Sequence, residues 1–309
     1  METNRRSFLS SHINAIEQKG HSMTKIRIAT DSTADIPKAI CEELDITVLP
    51  LTILAEGKEY RDGVDIAPQE FYEILEKAET MPVSSQVYSH YYMSLFEECW
   101  KTGVTDLVQV TLNAKGSGTY QAAVLSRDLF FEEHPAAAEQ LRIHIIDSGT
   151  YSMAYGLAVI QGAKLLKQGA ELEQILAEIK DWLAHARPMF VPLELKFVKK
   201  SGRVSAAAAF VGDALGMKPL ITFENGESKV LTKARGENKA ISTLVETCLN
   251  ERKPGTDYAL VYGSNPEAYA KLKEAWSEVM DMPPITEYPV GNVISINTGP
   301  NMIAIIYRT

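Results

Sequence analysis

Two rhythms of apolar positions alternate along the first half of the chain. Short β-rich runs occur at 25–30 (KIRIAT), 106–112 (DLVQVTL) and 142–147 (RIHIID). Each leads into a stretch that reads as helix. Ile36, Ala39, Ile40 and Leu44 form one helical face behind Pro37, whose missing N–H costs little at a helix start. Pro68 opens a second helix with Phe71, Ile74 and Leu75 on one face. A third covers about 89–100, and a fourth runs to about residue 131. Residues 47–53 (TVLPLTI) read as extended, and YRDGVDI at 60–66 holds an Asp-Gly turn of hairpin type. Strands alternating with helices predict right-handed βαβ units and a parallel sheet covered on both faces.

The second half has another pattern. Helices at roughly 152–167 and 172–185 lead to MFVPLELKFV, followed by a small-residue helix in VSAAAAFVGDALG. PLITFENGESKVLTKA predicts a hairpin, because Asn225-Gly226 suits a type I′ turn. Helices at about 237–251 and 266–280 flank the strand YALVYG at 258–263. VISINTGPNMIAIIYRT reads as an extended run interrupted by a Gly-Pro loop. The expected fold class is α/β with two domains. Residues 23–165 would form an N-terminal parallel-sheet α/β domain, and 166–309 a C-terminal α+β domain with antiparallel pairing. With no flexible linker visible, the two should share a substantial interface, a common place for a ligand.

Composition agrees with this division. A chain of 309 residues has room for about two domains, and 45% apolar with 23% charged residues can build ordinary cores. A net charge of −9 disfavours nucleic acid or an anionic membrane as the main partner. Cys41, Cys99 and Cys248 lie far apart without CxxC spacing, so neither zinc nor a disulfide framework is expected, and a cytoplasmic setting is the default. Residues 1–22 include basic residues but lack a long apolar segment, so they make a poor secretory signal. Met23 directly precedes the first strand, and 1–22 read as a dispensable, disordered extension. No apolar run approaches the roughly 18 residues a membrane span requires, so stable insertion is not expected.

Candidate chemistry centres on TLNAKGSGTYQAA at 111–123, a strand running into a Gly-rich turn and then a helix. A phosphate-binding loop of the G-x-x-x-x-G-K-[ST] type is not matched, since Lys115 precedes the glycines. A nucleophile elbow needs G-x-S-x-G, whereas Gly116 and Gly118 adjoin Ser117 directly. What remains is a turn with backbone N–H groups at the positive end of a helix, which attracts anions. Ser117 and Thr119 add hydroxyls, and either could equally be an N-cap. Other polar turns follow strands: Asp31, Ser32, Thr33 and Asp35 after the first, and Ser84, Ser85 and Gln86 before a helix that Ser89 could cap. Arg203 precedes the small-residue helix, and NTGPN spans 297–301. Neither an EF-hand nor an H-E-x-x-H pattern occurs, and turn formation is the favoured reading of Asp31 and Asp35 over a shared cation.

Taken together, TDSTADIP, YRDGVDI, MPVSSQ, SGTYQAA, IIDSGTYSMAYGL, KKSGRVS and NTGPN resemble elements of the DegV family, in the family's order from about residue 25 to the C-terminus. The resemblance implies a two-domain protein that holds one long-chain fatty acid and no other cofactor or metal. Some members are the binding subunit of a two-part fatty acid kinase, presenting the acyl carboxylate to an ATP-using partner. On that reading the chain is not an enzyme and has no catalytic residue. The alternative is a small-molecule kinase, or another enzyme, that uses the Gly-rich turn for phosphate. The family's carboxylate contacts map to Ser84 and Ser117, with Thr298, Asn297 and Arg203 on the head-group side. Ser32, Ser85, Gly118 and Thr119 would complete the wall. Phe210, Val211, Leu215 and Met217 are the candidates for lining the tail. Asn297 stands where the family usually has His, Ser84 where it has Thr, Val87 where it has Pro, and Asn301 where it has Gly. The exchange at 297 removes a titratable group while keeping a hydrogen-bond donor.

Overall fold

The computed structural model describes residues 24–205, 216–280 and 282–309. The extension at 1–22 and the candidate tail residues Phe210, Val211 and Leu215 lie outside the described residues. The first half contains β1 (Ile26–Asp31), α1 (Lys38–Leu44), β2 (Ile46–Leu49), β3 (Thr52–Ala55), β4 (Lys58–Arg61), α2 (Pro68–Lys77), β5 (Val83–Ser85), α3 (Ser89–Lys101), β6 (Asp106–Thr111), α4 (Thr119–Glu133) and β7 (Arg142–Asp147). Then come α5 (Met153–Lys167), α6 (Leu172–His185), β8 (Ala186–Pro192), β9 (Met217–Glu224) and β10 (Glu227–Arg235). The chain ends with α7 (Glu237–Glu251), β11 (Ala259–Tyr262), α8 (Pro266–Ser277), β12 (Thr286–Pro289), α9 (Asn292–Thr298) and β13 (Met302–Arg308).

The expected α/β class is observed. A four-stranded parallel sheet has the order β2-β1-β6-β7. A six-stranded mixed sheet, β10-β9-β8-β13-β11-β12, occupies the second half, with β11 and β12 its parallel pair. A small antiparallel sheet, β4-β3-β5, flanks the first. The run at 47–53 is extended but broken at Pro50, so that β2 joins the parallel sheet and β3 the small one. Proline has no N–H to give to a ladder, which makes the break a natural exit from the sheet.

Two local expectations are corrected. The β3–β4 hairpin closes at Glu56-Gly57, with φ of 49° and 75°, and not at Asp62-Gly63. Two consecutive positive φ values match the twist of a tight hairpin, and the Asp62-Gly63 turn instead ends β4. Residues 292–298 form helix α9, not strand. Gly299, at φ 80°, stops it, and Asn292, Val293, Ser295 and Ile296 turn inward. Packing at helical spacing overrides the strand preference of its β-branched residues.

Helix α5 lies at the centre. Ten of its residues are buried, from Met153 through Ala163, and it packs on α6, β1, β8 and β13. A helix that is apolar all round belongs inside a protein. Its core is continuous across both halves, joining Ile28, Val108 and Tyr155 to Phe190, Ile221 and Val261. Period-two alternation divides β13 between two cores: Met302, Ala304 and Ile306 face α5, while Ile303, Ile305 and Tyr307 face α7 and α8.

Candidate functional site

The parallel sheet changes direction between β1 and β6, since β2 continues to one side and β7 to the other. Loops leaving the carboxyl ends of two such strands diverge and open a crevice. Here the two loops are tied at their base by Asp31. Its Oδ2 accepts from the Leu112 N–H at 2.8 Å, and its Oδ1 accepts from Thr33 N at 3.1 Å and from the Tyr155 hydroxyl at 2.7 Å. Burial raises the pKa of Asp31, and the hydrogen bonds from Thr33, Tyr155 and Leu112 oppose that rise.

Above this base lies a cavity of about 520 Å³. The Gly-rich turn contributes Gly116, Ser117 and Gly118, and β5 with its continuation contributes Ser84, Ser85 and Gln86. Helix α9 presents Val293, Ile294, Asn297 and Thr298, and Arg203 reaches in from the segment after β8. The structure thus brings Ser84, Ser85, Ser117, Gly118, Arg203, Asn297 and Thr298 around one space. Ser32 and Thr119 are not on the cavity surface. Ser32 Oγ accepts from Leu51 N at 3.1 Å, and Leu51 itself lines the cavity. Thr119 is fully buried; its Oγ1 lies 2.9 Å from Ser117 Oγ and accepts from Val87 N at 3.4 Å. Met217 opens β9, opposite Arg235, and borders neither this cavity nor the apolar recess described below.

The hydroxyls differ in their commitments. Ser117 Oγ accepts from the N–H of Thr119 at 3.2 Å, so it supports the start of α4 as a cap does while remaining half-buried at the cavity wall. Ser84 pairs through the backbone opposite Ile53, in a strand and not at a helix start, and its hydroxyl has no protein partner among the described residues. Ser89 is the first residue of α3, with Tyr88 in the cap position, and Ser89 Oγ lies 2.7 Å from Ser126 Oγ. Asn297 Oδ1 accepts from Ser201 Oγ at 2.9 Å and its Nδ2 donates to Val293 O at 2.9 Å, which leaves one amide hydrogen for a ligand. Thr298 Oγ1 donates within its own helix, to Ile294 O at 3.2 Å or Gly299 O at 3.0 Å. Arg203 Nε donates to Gly116 O at 3.3 Å, and the side chain is otherwise exposed. Lys115 turns away: its Nζ donates to Asn225 O at 2.9 Å and pairs with Glu227 at 3.2 Å.

The far wall is apolar. Tyr151, Phe223, Ile294 and Thr298 are shared with a small recess of about 30 Å³, which runs onto Phe190, Val261, Met302 and Ala304. Tyr151 and Phe223 stand 4.5 Å apart between ring centres, and Phe223 stacks on Phe190 at 6.0 Å. Sequence reasoning missed Tyr151, Phe223 and the β13 face. The available signal was the nearly unbroken apolar character of β11 and β13 and of the second half of β8, which requires both faces of these strands to be covered, one of them by the first half.

Such a molecule is an α/β protein of two main sheets and one small one, with a cleft that is hydroxyl-rich at one end and aromatic and aliphatic at the other. Residues 25–309 match the family described as "Uncharacterised protein, DegV family", and the chain belongs to that family. It is 31% identical over 291 residues to a DegV domain-containing protein of Caldanaerobacter subterraneus subsp. tengcongensis, covering 93% of this chain and 99% of the relative. Among solved structures, a fatty-acid-binding DegV family protein from Thermus thermophilus superposes with a TM-score of 0.81 at 27% identity, covering 93% of this chain and 100% of the other. A stearic-acid-binding protein from Eubacterium ventriosum superposes with a TM-score of 0.81 at 25% identity, covering 92% and 98%. Among the described residues no group of acidic, histidine or cysteine side chains is placed to hold a metal ion, and no helix is long and apolar enough to cross a membrane.

Proposed function

We propose that the chain binds one long-chain fatty acid, with the carboxylate at Ser84 and Ser117 and the tail along Tyr151 and Phe223 toward the apolar face of the six-stranded sheet. One observation carries this reading: a single cavity of about 520 Å³ joins the Ser84 hydroxyl, unpartnered among the described residues, and the half-buried Ser117 hydroxyl to an aromatic wall, in a fold shared with fatty-acid-binding relatives. Hydrogen bonds to a charged group contribute about 1.5–3 kcal/mol each, so two hydroxyls and the turn N–H groups can hold a carboxylate without a buried cation. Each buried CH₂ adds about 0.8 kcal/mol, which makes the tail the main source of affinity. Arg203, Asn297 and Thr298 frame the head group. The acid is presented from a cytoplasmic carrier to an ATP-using kinase partner, and the chain performs no phosphoryl transfer itself.

Native mass spectrometry of the purified protein tests the reading: a bound acid is expected. Absence of any lipid, together with no uptake of added palmitate or oleate, would refute it. Ser84→Ala combined with Ser117→Ala should keep the melting temperature and weaken fatty acid binding by about tenfold or more, the loss of one to two charge-assisted hydrogen bonds. Unchanged occupancy, and unchanged acyl-phosphate output with a partner kinase, would remove those two residues from the head-group site.

A further inference from the structure

A second crevice, of about 310 Å³, opens away from the fatty acid cleft between α2 and the carboxyl end of β11. Gln69, Tyr72, Glu73 and Glu76 line it from α2. Their spacing of three and four residues puts them on one helical face. Tyr262 and Tyr269 line the opposite side, with ring centres 4.5 Å apart. β11 and β12 run parallel with α8 between them, and the crevice lies where β11 ends and α8 begins. This is the position at which crossover units offer a ligand site.

The side chains select the ligand chemistry. The Tyr72 hydroxyl donates to Val290 O and the Tyr269 hydroxyl to Glu287 Oε2, so both hydroxyls are committed elsewhere, which leaves aromatic surface to form the wall. Glu76 accepts only a long 3.4 Å bond from Ser264 Oγ, and Glu73 pairs with Lys77 at 3.3 Å where both are mostly exposed. No lysine or arginine is among the described residues lining the crevice. Aromatic surface with carboxylates at its rim attracts a cation. A bare ammonium gains little from ring faces and would sit at the open rim, where water competes with Glu73 and Glu76 as acceptors for its N–H groups. An alkylated ammonium needs no such acceptors. We propose that this crevice binds an alkylated organic ammonium of the choline or tetramethylammonium type, independently of the fatty acid site.

The test uses the full chain, titrated by calorimetry and saturation-transfer NMR with choline and tetramethylammonium chlorides, and with neutral 3,3-dimethylbutan-1-ol at matched ionic strength. Saturable binding of both cations is expected, with the neutral isostere at least about tenfold weaker. Tyr269→Leu and Glu76→Gln should each weaken the cations about 2- to 30-fold, and Tyr269→Phe should keep binding because the ring remains. Glu76 is exposed, so its variant stays folded and keeps the test decisive if Tyr269→Leu does not fold. Competition by phosphatidylcholine vesicles would assign the ammonium to a lipid headgroup, and saturation by choline without such competition to a free solute. No saturable binding of either cation, equal binding of the neutral isostere, or full binding by Glu76→Gln and Tyr269→Leu would overturn the proposal. Fatty acid occupancy is unaffected in every arm, so a failure here is distinct from a failure of the fatty acid reading.

Discussion

Asp62 is only 4% exposed, and its strongest influence is burial, which raises its pKa to about 6. Hydrogen bonds from Ser32 and Asn292 pull in the other direction, and Asp31 adds repulsion. Asp35, also buried, is raised further, by burial first and by Asp62 as a like charge. The sign of the stability effect follows directly. Between about pH 4 and pH 6 the folded chain holds a proton on Asp62 that the unfolded chain has released, so stability falls as pH rises through that window. The full shift corresponds to about 3 kcal/mol. A neutral Asp62 also has a proton to offer, and Asn292 Oδ1 is a buried acceptor without a partner among the described residues. Asp62→Asn should therefore flatten the rise in stability that the native chain shows on going from about pH 7 to pH 5. Urea melts across that range check this, and identical slopes for the two proteins would refute it.

At the scale of one element, α5 shows how close packing depends on its neighbour. A Cβ on Gly156 would stand 2.4 Å from the backbone oxygen of Ala34. That oxygen belongs to the turn after β1, so it cannot move without disturbing the Asp31 network. Gly156→Ala should cost about 1–3 kcal/mol, the usual penalty of overpacking. A Cβ on Gly162 would meet Ile179 Cδ1 at 2.6 Å and Cγ1 at 2.8 Å, side-chain atoms that can shift where backbone cannot. There a helix gain of up to about 1 kcal/mol offsets part of the crowding, and Gly162→Ala should cost clearly less than Gly156→Ala. Denaturant midpoints for the two variants should separate clearly; equal losses would mean that the Ala34 turn yields as readily as a side chain.

Across the whole molecule, the Gly-rich turn is fastened to the hairpin of the other sheet. Asn113 Nδ2 donates to Gly226 O at 2.7 Å and to the Tyr151 hydroxyl at 2.9 Å, and Lys115 reaches Asn225 O. Asn113 is buried, so Asn113→Ala leaves Gly226 O without its partner and should cost about 1–3 kcal/mol. Lys115→Ala removes an exposed ion pair, worth under about 1 kcal/mol. Because the fastened turn forms one wall of the cleft, Asn113→Ala should also speed the release of a fluorescent fatty acid to acceptor vesicles. A release rate equal to that of the native chain would show that the turn stays in place without the fastening.

The sequence by itself determined the local order of this protein. Helices such as α2, α5 and α6 and the β9–β10 hairpin were legible, because amphipathic spacing, Pro68 and Asn225-Gly226 act within a few residues. The hydroxyls at Ser84, Ser117 and Thr298 were visible as polar turns and motif matches. Tertiary structure alone decided which of them meet. Ser84 lies in a strand because β3 was available to pair with it, and residues 292–298 are helical because α9 must fill the gap beside α2 and the turn after β1. Lys115 is a fastening because a hairpin more than one hundred residues away arrives beside it. Contacts at that range depend on how the two sheets close on α5, and no local pattern carries that information.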